Sequence, residues 1–167
     1  MPRRAAHFFG RYFTLAPFHP AMSAMSPQPA LPSTLRWTWR DHARGGNAET
    51  VARAWLGPLL GVAPEAVPLV RDEAGRPRLA EFASGCDAGW SHSGGGMVIV
   101  FARDLVLGVD LEWMRPRPNA VALARRFFAP NEADWLEALP EPARERAFLR
   151  LWCAKEALLK AHGRGLA

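Results

Sequence analysis

The pattern of apolar and polar positions divides the chain into an uninformative start and an element-rich remainder. Residues 1–33 mix Pro, Ser, Ala and Met with scattered arginines and sustain neither a two-residue nor a 3.6-residue period, so a flexible tail is expected there. Leu35-Arg36-Trp37-Thr38-Trp39 alternates and predicts a strand with Trp37 and Trp39 in the core. Asn47 is placed to cap a helix running to about Leu56 and closed by Gly57-Pro58. Two continuously apolar runs, residues 97–101 and 105–109, predict a buried hairpin turning at residues 102–104. Helices are expected over roughly 120–128, 130–139 and 143–162, punctuated by Pro130, Pro140 and Pro142.

Composition narrows the function classes. With 49% apolar residues, the 167-residue chain can bury a core without staples. Its two cysteines, Cys86 and Cys153, have neither disulfide-framework nor zinc-ligand spacing and read as reduced thiols. No apolar run reaches the roughly 20 residues of a spanning helix, so no membrane association and a cytoplasmic location are expected. Lys and Arg outnumber Asp and Glu by 21 to 16, a net +5, and arginine predominates. Arginine suits forked contacts with phosphate, which points to an anionic ligand or acidic partner, although coding bias also enriches it. Paired tryptophans on a basic chain could stack on nucleic-acid bases, but on a strand they more often pack against a helix.

Three constellations carry candidate chemistry. In Gly108-Val109-Asp110-Leu111-Glu112 the strand period puts Asp110 and Glu112 on one face, left open by Gly108. Two neighbouring carboxylates repel, and a hard divalent cation would relieve that cost; the alternative is an ordinary acidic strand end. Along the last helix, Phe148, Leu151, Trp152, Leu158, Leu159 and His162 form an apolar stripe with Lys155 at its middle and Glu156 at its edge. Lys155 is then either functional or snorkelling to solvent. Trp90-Ser91-His92-Ser93-Gly94-Gly95-Gly96 can bring backbone N–H groups to a phosphate or merely open a strand, and Gly75-Arg76-Pro77-Arg78 is a turn presenting two arginines.

These residues resemble the 4'-phosphopantetheinyl transferases. Gly108 to Glu112 match that family's G-[IV]-D-x-E strand end, and Trp152 to Lys160 match its W-x-x-K-E-[AS]-x-x-K helix. Gly75-Arg76-Pro77 and Ser91-His92-Ser93 match the G-[KR]-P and S-H-[ST] motifs of the larger, surfactin-synthetase-activating type, and Arg126 to Glu132 resemble its R-F-F-x-x-x-E segment. The resemblance implies an α+β fold of two related α/β halves, residues 34–104 and 105–167, with the active site in the cleft between them. Members of the larger type continue beyond the K-E helix, so the second half is expected to be incomplete.

The implied activity is transfer of the phosphopantetheine arm of coenzyme A to a serine of an apo carrier protein, of acyl, peptidyl or aryl type, with release of 3',5'-ADP. Implied roles are Mg2+ ligation by Asp110, Glu112 and Glu156; coenzyme A binding by Arg76, Ser91, His92 and Lys155; and catalysis by Glu132 as general base with Lys155 and Glu156. Carrier proteins of fatty-acid or secondary-metabolite biosynthesis are the implied partners. A non-catalytic module that binds coenzyme A or a carrier protein is the alternative.

Overall fold

The structure is a computed structural model that describes residues 6–9, 12–15, 34–73, 75–80 and 85–163. Within the stretch expected to be a tail, β1 (Ala6–Phe9) and β2 (Tyr12–Leu15) pair antiparallel; the rest of residues 1–33 lies outside the described residues.

The centre is a three-stranded antiparallel sheet in which β7 (Gly96–Arg103) lies between β3 (Leu35–Asp41) and β6 (Cys86–Ser93). Strand β7 is almost wholly buried because both of its faces are covered, which explains its unbroken apolar run. Met97, Ile99 and Phe101 pack with Ala52 and Leu56 of helix α1 (Ala48–Leu60), while Val98, Val100 and Ala102 pack with Leu107, Val109 and Leu111. Strands β4 (Leu69–Arg71) and β5 (Pro77–Leu79) form a separate antiparallel pair that carries the Gly75-Arg76-Pro77 turn.

Three expectations need correction here. The partner of residues 97–101 is β6, not residues 105–109, and the β6–β7 turn is Gly94-Gly95, both at positive φ as a two-residue hairpin turn demands. After Asp104, itself at φ 59°, the chain leaves the sheet and crosses its face as an extended segment without a strand ladder. Apolarity at Leu107 and Val109 reported burial without pairing, whereas Val106 is 51% exposed. Helix α1 is capped by the Asn47 side chain as expected, with the Thr50 N–H 3.2 Å away, but it runs through Gly57-Pro58 to Gly61, whose left-handed φ of 71° ends it. Gly57 is buried where a β-carbon would lie 2.7 Å from the Val62 carbonyl oxygen, so its bareness serves packing, not termination. Trp37, expected in the core, is 48% exposed, whereas Trp39 packs against the cluster of Leu35 and Val98.

Three helices follow: α2 (Ala120–Phe127), α3 (Pro130–Ala138) and α4 (Glu141–Ala161). Ala124, Phe128, Leu136, Phe148 and Leu149 form their shared core. The buried line of α4 runs Leu149, Cys153, Ala157 and Ala161, a four-residue repeat of mostly small side chains. The expected stripe is only partly right, since Phe148 is buried but Leu158 is 41% exposed. The small residues let the backbone of α4 touch the segment at Gly108, where a β-carbon would stand 1.7 Å from the Ala157 carbonyl oxygen.

Candidate active site

The extended segment 107–113 is held by side chains of β6 instead of by a ladder. Asp87, Ser91 and Ser93 share one face of β6, and they accept the N–H groups of Leu107, Leu111 and Trp113 at 2.7, 3.2 and 3.0 Å. Gly89 takes the remaining place on that face, with Val109 beside it. This arrangement sets the position of Asp110, which is 5% exposed and receives the Ser91 hydroxyl at 3.1 Å and the Lys160 ammonium at 2.5 Å on Oδ1. Its other oxygen, Oδ2, is buried with no hydrogen-bond partner among the described residues.

Glu112 lies two residues on, and its carboxylate meets Arg117 at 2.9 Å. Burial and the neighbouring Asp110 push its carboxyl above the usual range, against the pull of Arg117. Glu156, from α4, is raised by burial and by Asp110, with Glu112 adding and Lys160 opposing. The three carboxylates therefore sense one another across the helix–segment contact. The Cys153 thiol is pushed up by burial and then by Asp110. Among the described residues no group of three or more His, Cys, Asp or Glu side chains is already gathered as metal ligands. Cations of the protein itself, Lys160 and Arg117, meet Asp110 and Glu112 instead.

A cleft of about 300 Å³ opens beside this cluster, lined by Gly75, Arg76 and Pro77 from the β4–β5 turn, by Gly108 and Val109, and by Glu156 and Lys160. Four sequence motifs that are distant along the chain thus converge on one place, with Ser91 reaching it through Asp110. A second concavity, of about 430 Å³, adjoins His92 and is lined by His42, Arg44, Arg115 and the glycines of residues 45–46 and 94–96. The His42 and His92 rings lie 4.6 Å apart. Partial burial, His42 and Lys160 together pull the His92 imidazole below its usual value.

Two expected site residues stand elsewhere. Lys155 does not line the cleft; its ammonium pairs with Glu132 at 2.8 Å and lies 5.0 Å from the centre of the Phe128 ring. Glu132 also accepts the Ala129 N–H at 2.9 Å at the start of α3. Burial alone would raise the Glu132 carboxyl, but Lys155 and that backbone donor outweigh it and hold it low. Arg76 reaches the cleft wall yet is almost fully buried and committed to Asp87. Sequence reasoning missed Lys160, Asp87 and Arg44. The final lysine of the K-E helix motif was the available signal for Lys160.

Comparison with known proteins agrees on one family. Residues 106–167 match the model of the 4'-phosphopantetheinyl transferase superfamily. The chain is 37% identical over 135 residues to the 4'-phosphopantetheinyl transferase HetI of Nostoc sp. PCC 7120, covering 79% of this chain and 57% of that protein. It is 32% identical over 131 residues to the 4'-phosphopantetheinyl transferase of Bacillus subtilis, covering 72% and 56%. To the 4'-phosphopantetheinyl transferase AcpT of Escherichia coli O157:H7 it is 29% identical over 156 residues, covering 92% and 71%. The chain spans a little over half the length of HetI and of the Bacillus protein. With its converging motifs, its matched C-terminal portion and the agreement of its relatives, the chain belongs to the 4'-phosphopantetheinyl transferase superfamily.

Proposed function

We propose that this chain transfers the 4'-phosphopantetheine arm of coenzyme A to a serine of an apo carrier protein, releasing 3',5'-ADP, with a divalent cation. The observation that carries the reading is the convergence of the Gly75-Arg76-Pro77 turn, the Asp110 segment and the Glu156 and Lys160 face of α4 on one cleft. The donor set suits magnesium: the paired carboxylates are all oxygen ligands, and Asp110 Oδ2 is buried and unpartnered, the sort of oxygen a hard cation takes. Asp110, Glu112 and Glu156 would hold the ion. When bound, it would neutralise charge on the diphosphate of coenzyme A.

The chain's own residues would do the rest. Lys160, which lines the cleft and pairs with Asp110, would face a phosphate oxygen of the donor. The second concavity, with Arg44, Arg115, His42 and His92 and with no carboxylate among the described residues that line it, suits the anionic nucleotide end of the donor. Ser91 acts through Asp110 by fixing its carboxylate. Glu132 is the proposed base for the carrier serine hydroxyl, and Lys155 keeps it ionised and oriented. Positioning and charge neutralisation would supply most of the acceleration, as in phosphoryl transfer generally. The +5 charge would favour encounter with an acidic carrier protein.

Chromatography of coenzyme A and 3',5'-ADP after addition of an apo carrier protein tests this. Release of 3',5'-ADP that needs carrier and Mg2+ and is lost in Asp110→Asn is expected. Tight coenzyme A binding with no release would replace the transferase reading by that of a binding module.

A further inference from the structure

We infer that Arg76 and Asp87 form a positioning latch that docks the C-terminal end of α4 onto the Asp110 segment, so that Arg76 is not a nucleotide ligand. The Arg76–Asp87 pair, at 2.8 Å, is among the most buried ion pairs of the described residues, with side chains 9% and 10% exposed. Both terminal nitrogens of the Arg76 fork are used. One terminal nitrogen donates to the Ala161 carbonyl at 3.0 Å, and the other donates both to Asp87 and to the Leu107 carbonyl. Asp87 accepts the Leu107 N–H and the Ala88 N–H in turn.

Both backbone groups of Leu107 are therefore held by the pair, one by each partner. Ladder bonds would do this in a sheet, and here an ion pair takes their place. The contact to Ala161 ties the same fork to a carbonyl in the last turn of α4, where a cation is favoured. Gly108, next to Leu107, abuts Ala157, one turn earlier on the helix. The latch thus sets how close Glu156 and Lys160 stand to Asp110. Burial drags the Arg76 guanidinium down while Asp87 pulls it up, as expected of a charge that depends on its partner. A lysine would put one ammonium where the fork has two terminal nitrogens, a poorer match to acceptors served from both, whereas an ammonium can serve as a phosphate contact.

The test measures labelling of the buried Cys153 thiol by a disulfide reagent in a Cys86→Ser background, together with Mn2+ affinity by calorimetry. Arg76→Lys, Arg76→Met and Asp87→Asn are compared, and folding is checked by circular dichroism and urea unfolding. In Arg76→Lys and Arg76→Met, labelling is expected to rise about tenfold or more through local opening of α4, well beyond the rise that global unfolding predicts. Mn2+ binding should weaken alongside. The milder Asp87→Asn keeps an acceptor for Leu107 and should shift both readouts less, in the same direction.

If Arg76→Lys keeps Cys153 protected and instead raises KM for coenzyme A at unchanged kcat, the latch is wrong and Arg76 is a nucleotide ligand. Labelling that rises only in proportion to global unfolding also overturns it. The kinetic arm rests on the proposed transfer and the Mn2+ arm on the proposed cation site; the thiol arm decides the latch even if the chain binds no cation and turns over no coenzyme A.

Discussion

A β-carbon on Gly108 would lie 1.7 Å from the Ala157 carbonyl oxygen and 2.7 Å from its carbon, both backbone atoms that cannot swing aside. Gly108→Ala should therefore push α4 off the Asp110 segment, costing about 1–3 kcal/mol or more as overpacking does. Urea unfolding would measure that cost, and accelerated Cys153 labelling would locate it. At this scale the sequence was legible where backbone period alone decides: a two-residue period suffices to place Asp110 and Glu112 on one face, even though the segment is not a ladder strand. Lys160 escaped because the helical stripe was drawn through large side chains. The face that docks is lined by Cys153, Ala157 and Ala161, whose smallness is the reason for the close approach and is nearly silent in a hydrophobic pattern.

Elements are joined by few, specific contacts. Helices α3 and α4 meet through Glu132 and Lys155 as well as through the apolar core of Leu136, Phe148 and Leu149. Because the folded Glu132 carboxyl lies below its unfolded value, its contribution is present above the unfolded pKa and is lost as pH falls through the folded one. Glu132→Gln should thus destabilise the chain by about 0.5–1 kcal/mol at pH 7, and the difference should shrink as pH falls below the ordinary glutamate value of about 4.3 and vanish below the folded one; unfolding at a series of pH values reads this directly. Phe148→Ala, in the core of the three helices, should cost about 3–5 kcal/mol by chemical denaturation. The helices were legible because Pro130 and Pro140 mark their starts and their patterns are long. The sheet order was not, because Leu107 and Val109 are as buried as a central strand while the N–H groups of Leu107, Leu111 and Trp113 go to Asp87, Ser91 and Ser93. Which side chains replace a ladder is a tertiary fact that periodicity does not carry.

Over the whole molecule, sheet, turn and helix each line the cleft, and the chain carries a net charge of +5. Encounter with an acidic carrier protein should be steered by that positive field. The kcat/KM toward such a carrier is expected to fall several-fold between about 50 and 300 mM salt, with kcat little changed, as screening predicts. No helix of the described residues is long and apolar enough to cross a membrane. The most direct measurement of the central claim is the intact mass of an apo carrier protein after incubation with this chain, coenzyme A and Mg2+. The account predicts a phosphopantetheine adduct of about 340 Da on the carrier serine, absent with chelator and in Asp110→Asn. An unmodified carrier with the wild-type chain, or an adduct that forms equally well without a divalent cation or without Asp110, would contradict it.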